Sequence, residues 1–388
     1  MRKIWLITHR WLGLTVGLLF VLIGLSGSLL VFQHVLDEWL NPELLVIHSS
    51  GSRLPLQKIV DAAQQACPDQ SARLQFVDMP RSANGVWAFW FQSKSKESPK
   101  VTQVCVDPYT AKVTGHRPRR ENLMGWIYEL HTELLAGKTG ETIVGFVGII
   151  LLVSVCSGVI LWWPLLQHSW RAALLVRSGR RFNYDLHKTT GIANSVFLVV
   201  IGFTGVYLIF PTWVKPAVTA FLPETVLPTT PNSKPARNQP RLDADQALAI
   251  AQKLFPDAEC KRLHFPLGAN GVYMARVRQQ GDVRRSSGNS RIWIDQYSGE
   301  ILAVRDWYQR TTADTIFAWQ FPLHNGEAFG LIGRWVVVAT GLTLCVLYVT
   351  GVIMWWRKRQ ARTRQRQNVL VLGQTEKTSA PVAVHSNG

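Results

Sequence analysis

The chain has 388 residues, 47% of them hydrophobic and only 17% charged, with a formal net charge of +17. That charge would suit a nucleic-acid binder, but its placement excludes one. The basic runs lie at the N-terminus (Arg2, Lys3), in the loop from Arg171 to Lys188, and after the last apolar run (Arg357, Lys358, Arg359, Arg362, Arg364, Arg366). The positive-inside rule reads all three as cytoplasmic, beside anionic lipid, so the expected partner is membrane lipid and not nucleic acid.

Four apolar spans follow in chain order, at roughly 11–33, 142–163, 189–210 and 331–356. Each is long enough to cross a bilayer as a helix, which takes about 20 apolar residues. The first is too long for a signal peptide, lacks a small-residue cleavage pattern and runs on into DEWLNP, so it is read as uncleaved. Alternating crossings divide the chain into transmembrane helix 1 (1–36), an outer segment (37–139), helix 2 (140–164), a cytoplasmic loop (165–187), helix 3 (188–211), a linker with a second outer segment (212–328), helix 4 (329–357) and a cytoplasmic tail (358–388). Tryptophan, 16 in all, clusters beside the apolar runs as in an interfacial belt.

Both outer segments read as one helix followed by strands. The first has a helix over Pro55 to Ala66 and strands at Arg73–Asp78, Val86–Phe91, Val101–Val106 and Lys112–Gly115, with Asn84-Gly85 as a turn. The second has a helix over Ala244 to Phe255 and strands around Lys261–Phe265, Gly271–Arg278, Arg291–Ile294 and Glu300–Val304. Residues 223–240 form a Pro-rich linker, and the tail after Arg366 reads as disordered.

The first span carries a histidine at each end, His9 and His34. On one straight helix these would lie roughly 37 Å apart and within roughly 20° of the same line. Gly13, Gly17 and Gly27 fall on or near that line, which is also what a small-residue packing seam looks like. An internal repeat adds to this. His9 and Ile23-Gly24-Leu25-Ser26-Gly27 match His187 and Ile201-Gly202-Phe203-Thr204-Gly205 at an offset of 178. His131 and Ser157-Gly158-Val159-Ile160-Leu161-Trp162-Trp163 match His324 and Thr350-Gly351-Val352-Ile353-Met354-Trp355-Trp356 at an offset of 193. Pro68-Asp69 and Val106-Asp107-Pro108-Tyr109 match Pro256-Asp257 and Ile294-Asp295-Gln296-Tyr297 at 188. The expected fold is therefore a mainly α membrane protein: a four-transmembrane-helix bundle of two parallel repeats, each with an outer α+β domain.

A pseudo-twofold axis along the membrane normal turns the histidines into pairs. His9 faces His187 at the cytoplasmic level, and His131 faces His324 at the outer level. Opposed imidazoles in a bundle are what a bis-histidine haem needs, and Gly13 and Gly191 would let a flat macrocycle approach. Zinc is the weaker metal reading, since no cysteine is near either pair. Interfacial histidines serving only as polar groups are the bland alternative. His34 aligns in the repeat with Thr212, has no symmetry partner, and is an alternative outer ligand. His48, His116, His168, His264 and His385 read as surface residues. Five cysteines lack any CxxC spacing; Cys156 and Cys345 lie in spans as packing residues, Cys260 is alone in the second outer segment, and Cys67–Cys105 is the disulfide to expect in an oxidising compartment.

HRWLGL with IGLSGSLLVF, ELHTELLAGKTGE with SGVILWWP, DLHKTTG, and PLHNGEAFG with TGVIMWW resemble PepSY-associated transmembrane proteins, over about residues 1–358. Within that group the chain is similar to bacterial inner-membrane reductases of ferric siderophores, of the ferrioxamine type. The resemblance implies two periplasmic PepSY-like domains, two b-type haems ligated by His9, His187, His131 and His324, and electron passage to the periplasm. The expected activity is that of a haem-containing oxidoreductase reducing a ferric siderophore and releasing Fe(II) for iron uptake, with a cytoplasmic flavin reductase or quinol as electron donor. Trp87, Trp90, Trp293, Trp307, Tyr308, Arg305 and Arg310 are candidates to hold the chelate. The rival reading is a non-redox PepSY regulatory protein that restrains a protease or senses an envelope ligand. A transporter is less in keeping with four spans that carry no midplane charge.

Overall fold

Two helices open the chain where one straight span is expected. In the computed structural model, which describes residues 1–94, 100–226, 231–235 and 240–378, α1 (Arg2–Thr15) and α2 (Gly17–Leu30) meet at a 59° bend. The bend falls at Val16 and Gly17, where the ring of Tyr348 packs so closely that a Cβ on Gly17 would lie 2.5 Å from it. A glycine beside an intruding side chain is a common cause of a kink. The straight-helix distance and rotation between His9 and His34 therefore do not hold. A second break at Val31 and Phe32 puts His34 on a separate helix, α3 (Gln33–Leu40), followed by α4 (Pro42–Leu45).

The first outer segment contains α5 (Leu56–Ala66) and strands β1 (Arg73–Asp78), β2 (Trp87–Gln92), β3 (Val101–Val106) and β4 (Val113–Pro118). A short helix, α6 (Leu123–Glu133), leads into α7 (Gly137–His168). Then come α8 (Trp170–Leu174), α9 (Phe182–Ile209), α10 (Pro211–Thr219) and α11 (Ala244–Leu254). Strands β5 (Glu259–His264), β6 (Val272–Arg278), β7 (Ser290–Asp295) and β8 (Ile301–Arg305) precede α12 (Thr312–His324) and α13 (Gly330–Thr378). Three helical stretches, within 137–168, 179–209 and 327–365, are long and apolar enough to cross a membrane, and the bent α1–α2 pair makes up to a fourth.

The two outer segments share a single antiparallel sheet of eight strands, ordered β4-β3-β2-β1-β5-β6-β7-β8. The junction pairs Phe76 with His264, Val77 with Leu263 and Asp78 with Arg262. Helices α5 and α11 cover one face, burying Ile59 and Ala63 of α5 and Ala244 and Ala247 of α11 against Val77, Phe89, Val104, Leu263 and Ile292. They also cap each other. The Asp245 carboxylate accepts from the backbone N–H groups of Leu56 (2.7 Å) and Gln57 (2.9 Å), while the Gln57 side chain accepts from Ala244 N–H (3.1 Å). A carboxylate at a helix N-terminus satisfies donors the helix leaves open. The other sheet face looks toward the bundle, tied to it by Arg117 to Asp37 of α3 (2.8 Å) and Arg305 to Asp314 of α12 (2.6 Å).

Two expectations fail for local reasons. Helix α13 runs on to Thr378, through the stretch read as disordered, because 357–372 is dense in helix-forming Arg, Lys and Gln and has no proline; residues 379–388 lie outside the described part. The Cys67–Cys105 bridge is also absent. Cys67 joins the core under α5, whereas Cys105 points from β3 through the opposite face into a cluster with Leu45, Ile47 and Val86, and all five thiols are free. Alternation along a strand puts Cys105 on the wrong side of the sheet for a bridge. The linker at 223–240 has no helix or strand among its described residues, and 227–230 and 236–239 lie outside them.

Burial pushes the Cys105 thiol up to about 12. Native protein alkylated at pH 8 without reductant is therefore expected to leave Cys105 unlabelled, and denatured protein to label both Cys67 and Cys105 fully. A Cys67–Cys105 disulfide peptide in mass spectrometry would contradict the fold.

Candidate functional site

The histidines meet in two pairs. The rings of His9 and His187 lie 6.0 Å apart, centroid to centroid, with planes at 88°; those of His131 and His324 lie 6.1 Å apart, at 51°. His9 comes from α1 and His187 from the first turns of α9. His131 and His324 come from the last turns of α6 and α12, two short helices that precede the spans α7 and α13. Asn122 caps α6 by accepting from Gly125 N–H, and Thr311 with Asp314 forms a capping box on α12. The turns that follow use left-handed backbone at Leu134 and Leu135 (φ 48° and 58°) and at Gly326 (φ 77°), reversing the chain into the next span.

All four rings are held in the same way. Nδ1–H of His9 donates to Ser154 O (3.0 Å) and to Ser157 Oγ (2.9 Å) on α7. His187 donates to Leu347 O (3.1 Å) and Thr350 Oγ1 (3.0 Å) on α13. His131 donates to Ile23 O (2.9 Å) and Ser26 Oγ (3.3 Å) on α2, and His324 to Ile201 O (3.2 Å) and Thr204 Oγ1 (3.1 Å) on α9. A carbonyl only accepts, so the proton is on Nδ1 in each ring. The hydroxyl protons are already committed to carbonyls of their own helices, as in Ser157 to Ser154 O (2.8 Å) and Thr350 to Val346 O (2.6 Å). Each hydroxyl oxygen is thus an acceptor facing the imidazole. Nε2 of each ring is left as a free acceptor, with no hydrogen-bond partner among the described residues.

The residue after each hydroxyl is glycine, and at three of the four notches that is what lets the ring in. A methyl on Gly27 would lie 2.7 Å from Cε1 of His131; on Gly205, 3.1 Å from His324; on Gly158, 3.2 Å from His9; on Gly351, 3.6 Å from His187. The notch of carbonyl, hydroxyl and glycine at i, i+3 and i+4 occurs once in each span. Along α9, the residues that hold His324 begin fourteen positions after His187, so the two levels are about 21 Å apart.

His34 is not part of either pair. It sits exposed on α3 with Gln33 beside its ring (3.2 Å). His48, His116 and His168 are exposed, His264 is half-buried against Phe76 on the sheet, and His385 lies outside the described residues. Of the side chains expected to hold a chelate, Trp87 is core and Trp90 is bonded to Asp78. Arg305, Trp307 and Arg310 do come together, lining a cavity of about 260 Å³ against α12.

Residues 6–358 match the PepSY-associated TM region. The chain belongs to that family. All four paired histidines and all four notches fall within the match. This PepSY-associated chain is a multi-pass membrane protein. It is also similar to an uncharacterized protein of Pseudomonas aeruginosa, 26% identical over 265 residues, a stretch that covers 63% of this chain and 66% of that relative. The chain thus aligns with just under two thirds of the relative's length.

The glycine contacts set an expected order of damage. Gly27→Ala forces a methyl against the His131 ring and is expected to cost about 1–3 kcal/mol, the usual range for overpacking. Gly351→Ala makes only ordinary contact and is expected to be close to neutral. Thermal unfolding in detergent checks this; equal melting temperatures for the two variants would contradict the notch geometry.

Proposed function

We propose that this protein is a di-haem b reductase of the bacterial inner membrane, which passes electrons across the bilayer and reduces ferric siderophore in the periplasm. The observation that carries the reading is the two pairs of facing imidazoles, each with Nδ1–H anchored and Nε2 free. An imidazole nitrogen binds a metal at about 2 Å with the ring centre roughly an ångström behind it, so two trans ligands set their centres about 6 Å apart. Anchoring the second nitrogen on a carbonyl is the usual outer-shell device that orients a metal-bound histidine and raises its basicity. Among the described residues no group of three or more His, Cys, Asp or Glu side chains is placed to hold a metal. A bare ion would lack donors at a two-histidine site, whereas a porphyrin brings four of its own.

The residues fit the group in a second respect. A methyl at Gly13, one turn beyond His9, would meet nothing within 4 Å, and one at Gly191, one turn beyond His187, would meet only Leu347 at 3.6 Å. Both leave flat backbone beside the inner pair. His9 with His187 would hold one haem and His131 with His324 the other, without the CxxCH needed for covalent attachment. Bound haem supplies one-electron chemistry; the chain's own part is to ligate, to bury and to fix the two levels along the bundle.

In this reading the chain is two parallel repeats, each a span, a PepSY-like lobe and a span. The lobes are periplasmic because the basic runs lie on the opposite side. A cytoplasmic flavin reductase or quinol feeds the inner pair. Iron leaves as Fe(II), which hard oxygen chelators hold less well than Fe(III).

Protein purified from haem-replete cells is expected to carry two low-spin b-type haems per chain. His187→Ala should lose one and His324→Ala the other. Reduced protein, cleared of dithionite, should be reoxidised by ferric siderophores with Fe(II) trapped by ferrozine. Colourless protein overturns the proposal, and reduced protein that is inert to a panel of ferric siderophores removes the iron assignment.

A further inference from the structure

The register of the sheet lines up four arginines. Arg262 stands directly opposite Arg276, Arg276 opposite Arg291, and Arg291 opposite Arg305, a row crossing β5 to β8. The neighbouring positions Leu263, Ala275 and Ile292 face the core on the other side, so the arginines share the face turned toward the bundle. Like charges directly opposite one another destabilise a sheet, so the row has to be compensated.

Direct ion pairs are present only at the ends, among the described residues. Arg262 pairs with Asp78 (2.6 Å) and Arg305 with Asp314 (2.6 Å). Arg276 bonds only to neutral groups, Ser287 Oγ (3.1 Å) and Gly288 O (3.2 Å), and Arg291 makes no side-chain bond. Arg284, stacked 4.6 Å from the Phe321 ring, makes no direct ion pair among the described residues, although Glu327 and Asp282 are close enough to act on its charge. The Nε atoms of Arg276, Arg284 and Arg291 are all buried without a partner. Burial and the adjacent guanidinium groups pull Arg276 down to about 9, which leaves it cationic at neutral pH. These side chains are half-buried, and cationic groups gathered at half-buried positions without a direct ion pair favour an anion beside them.

The cavity of about 260 Å³ opens at this row. It is lined by Arg284, Arg291, Arg305, Arg310 and Lys215, with Phe317 and Phe321 of α12 as its apolar wall; two carboxylates, Asp306 and Asp314, line it as well, Asp314 paired with Arg305, so cationic groups outnumber anionic ones. Phe321 lies one turn before His324, so the cavity wall and one of the paired histidines share α12. We propose that this arginine-lined cavity is a site for small, anionic, carboxylate-rich ferric chelates, preferred over neutral or cationic ones. The proposal rests on the reductase reading for what happens next. One electron passes from the reduced protein to chelated Fe(III), giving Fe(II); the protein is oxidised by one electron and is re-reduced by its quinol or flavin donor. No bond within the chelator is made or broken.

Gallium(III) citrate has the anionic shell of the ferric complex but cannot be reduced, so it reads binding apart from chemistry. Titrated calorimetrically into the full-length protein, it is expected to bind, and to bind about tenfold or more tightly than the cationic gallium complex of desferrioxamine B. Arg291→Gln and Arg284→Gln should each weaken it about tenfold or more, Arg291→Lys by less, and Arg241→Gln, an exposed control, not at all. Arg291→Gln should not lower the melting temperature of ligand-free protein, because it removes one like charge from the row. Equal affinity for the two gallium complexes, or citrate binding indifferent to both glutamine variants, overturns the proposal. So does loss of haem absorbance in those variants with citrate binding intact, which would assign the guanidinium groups to the cofactor. Arginine-dependent gallium citrate binding without reduction of ferric citrate keeps this site and sinks the reductase reading. Reduction of ferric hydroxamates with no arginine dependence does the reverse.

Discussion

Each paired histidine depends on one hydrogen bond, Nδ1–H into a notch on a neighbouring helix. The notch works because its three parts do different things. The carbonyl fixes the tautomer, the hydroxyl supplies a second acceptor, and the glycine, except at the roomier Gly351 notch, removes the atom that would crowd the ring. In an apolar bundle an unmade bond of this kind costs about 1–3 kcal/mol, so the geometry is strongly specified. The four bonds also staple the bundle. They join α1 to α7, α9 to α13, α6 to α2 and α12 to α9, so the level and rotation of each helix are tied to the placement of an imidazole. What is left on each ring is an Nε2 with no hydrogen-bond partner among the described residues, and the rings of each pair stand about 6 Å apart.

The sheet does for one end of the bundle what the notches do for the interior. Mutual capping of α5 and α11 by Asp245 and Gln57 locks the two halves of the sheet into one body. That body is fastened to α3 and α12 by buried or half-buried ion pairs. Because α12 carries both Asp314, which neutralises one end of the arginine row, and His324, which completes the outer pair, the charged face and the histidine site are mechanically one unit. A single helix thereby connects the arginine-rich face to one of the paired imidazoles.

Much of this was legible in the sequence, for a physical reason: two-residue alternation and repeat offsets are local or periodic signals. Strands such as Arg73–Asp78 and Val101–Val106 match their expected bounds, and the offsets of 178 and 193 paired the histidines that the structure brings together. What the sequence hid depends on distant partners. The bend at Val16 needs Tyr348, more than three hundred residues away. The failure of a Cys67–Cys105 bridge follows from which face of β3 Cys105 occupies. The arginine row exists only once the register of four strands is known. The notches are an intermediate case. Ser26-Gly27, Ser157-Gly158, Thr204-Gly205 and Thr350-Gly351 were visible as parts of two separate repeats, and one small-hydroxyl-glycine step per span was the signal that joins them.

The central claim is that two histidine pairs each bind one iron from both sides. Electron paramagnetic resonance of the oxidised, frozen protein tests it most directly, since axial ligation by two imidazoles gives low-spin ferric iron. The account predicts two distinct low-spin signals, the near-perpendicular His9–His187 pair giving the more anisotropic one, with one signal lost in His187→Ala and the other in His324→Ala. A silent spectrum, or a wild-type protein with high-spin iron at either level, would contradict it.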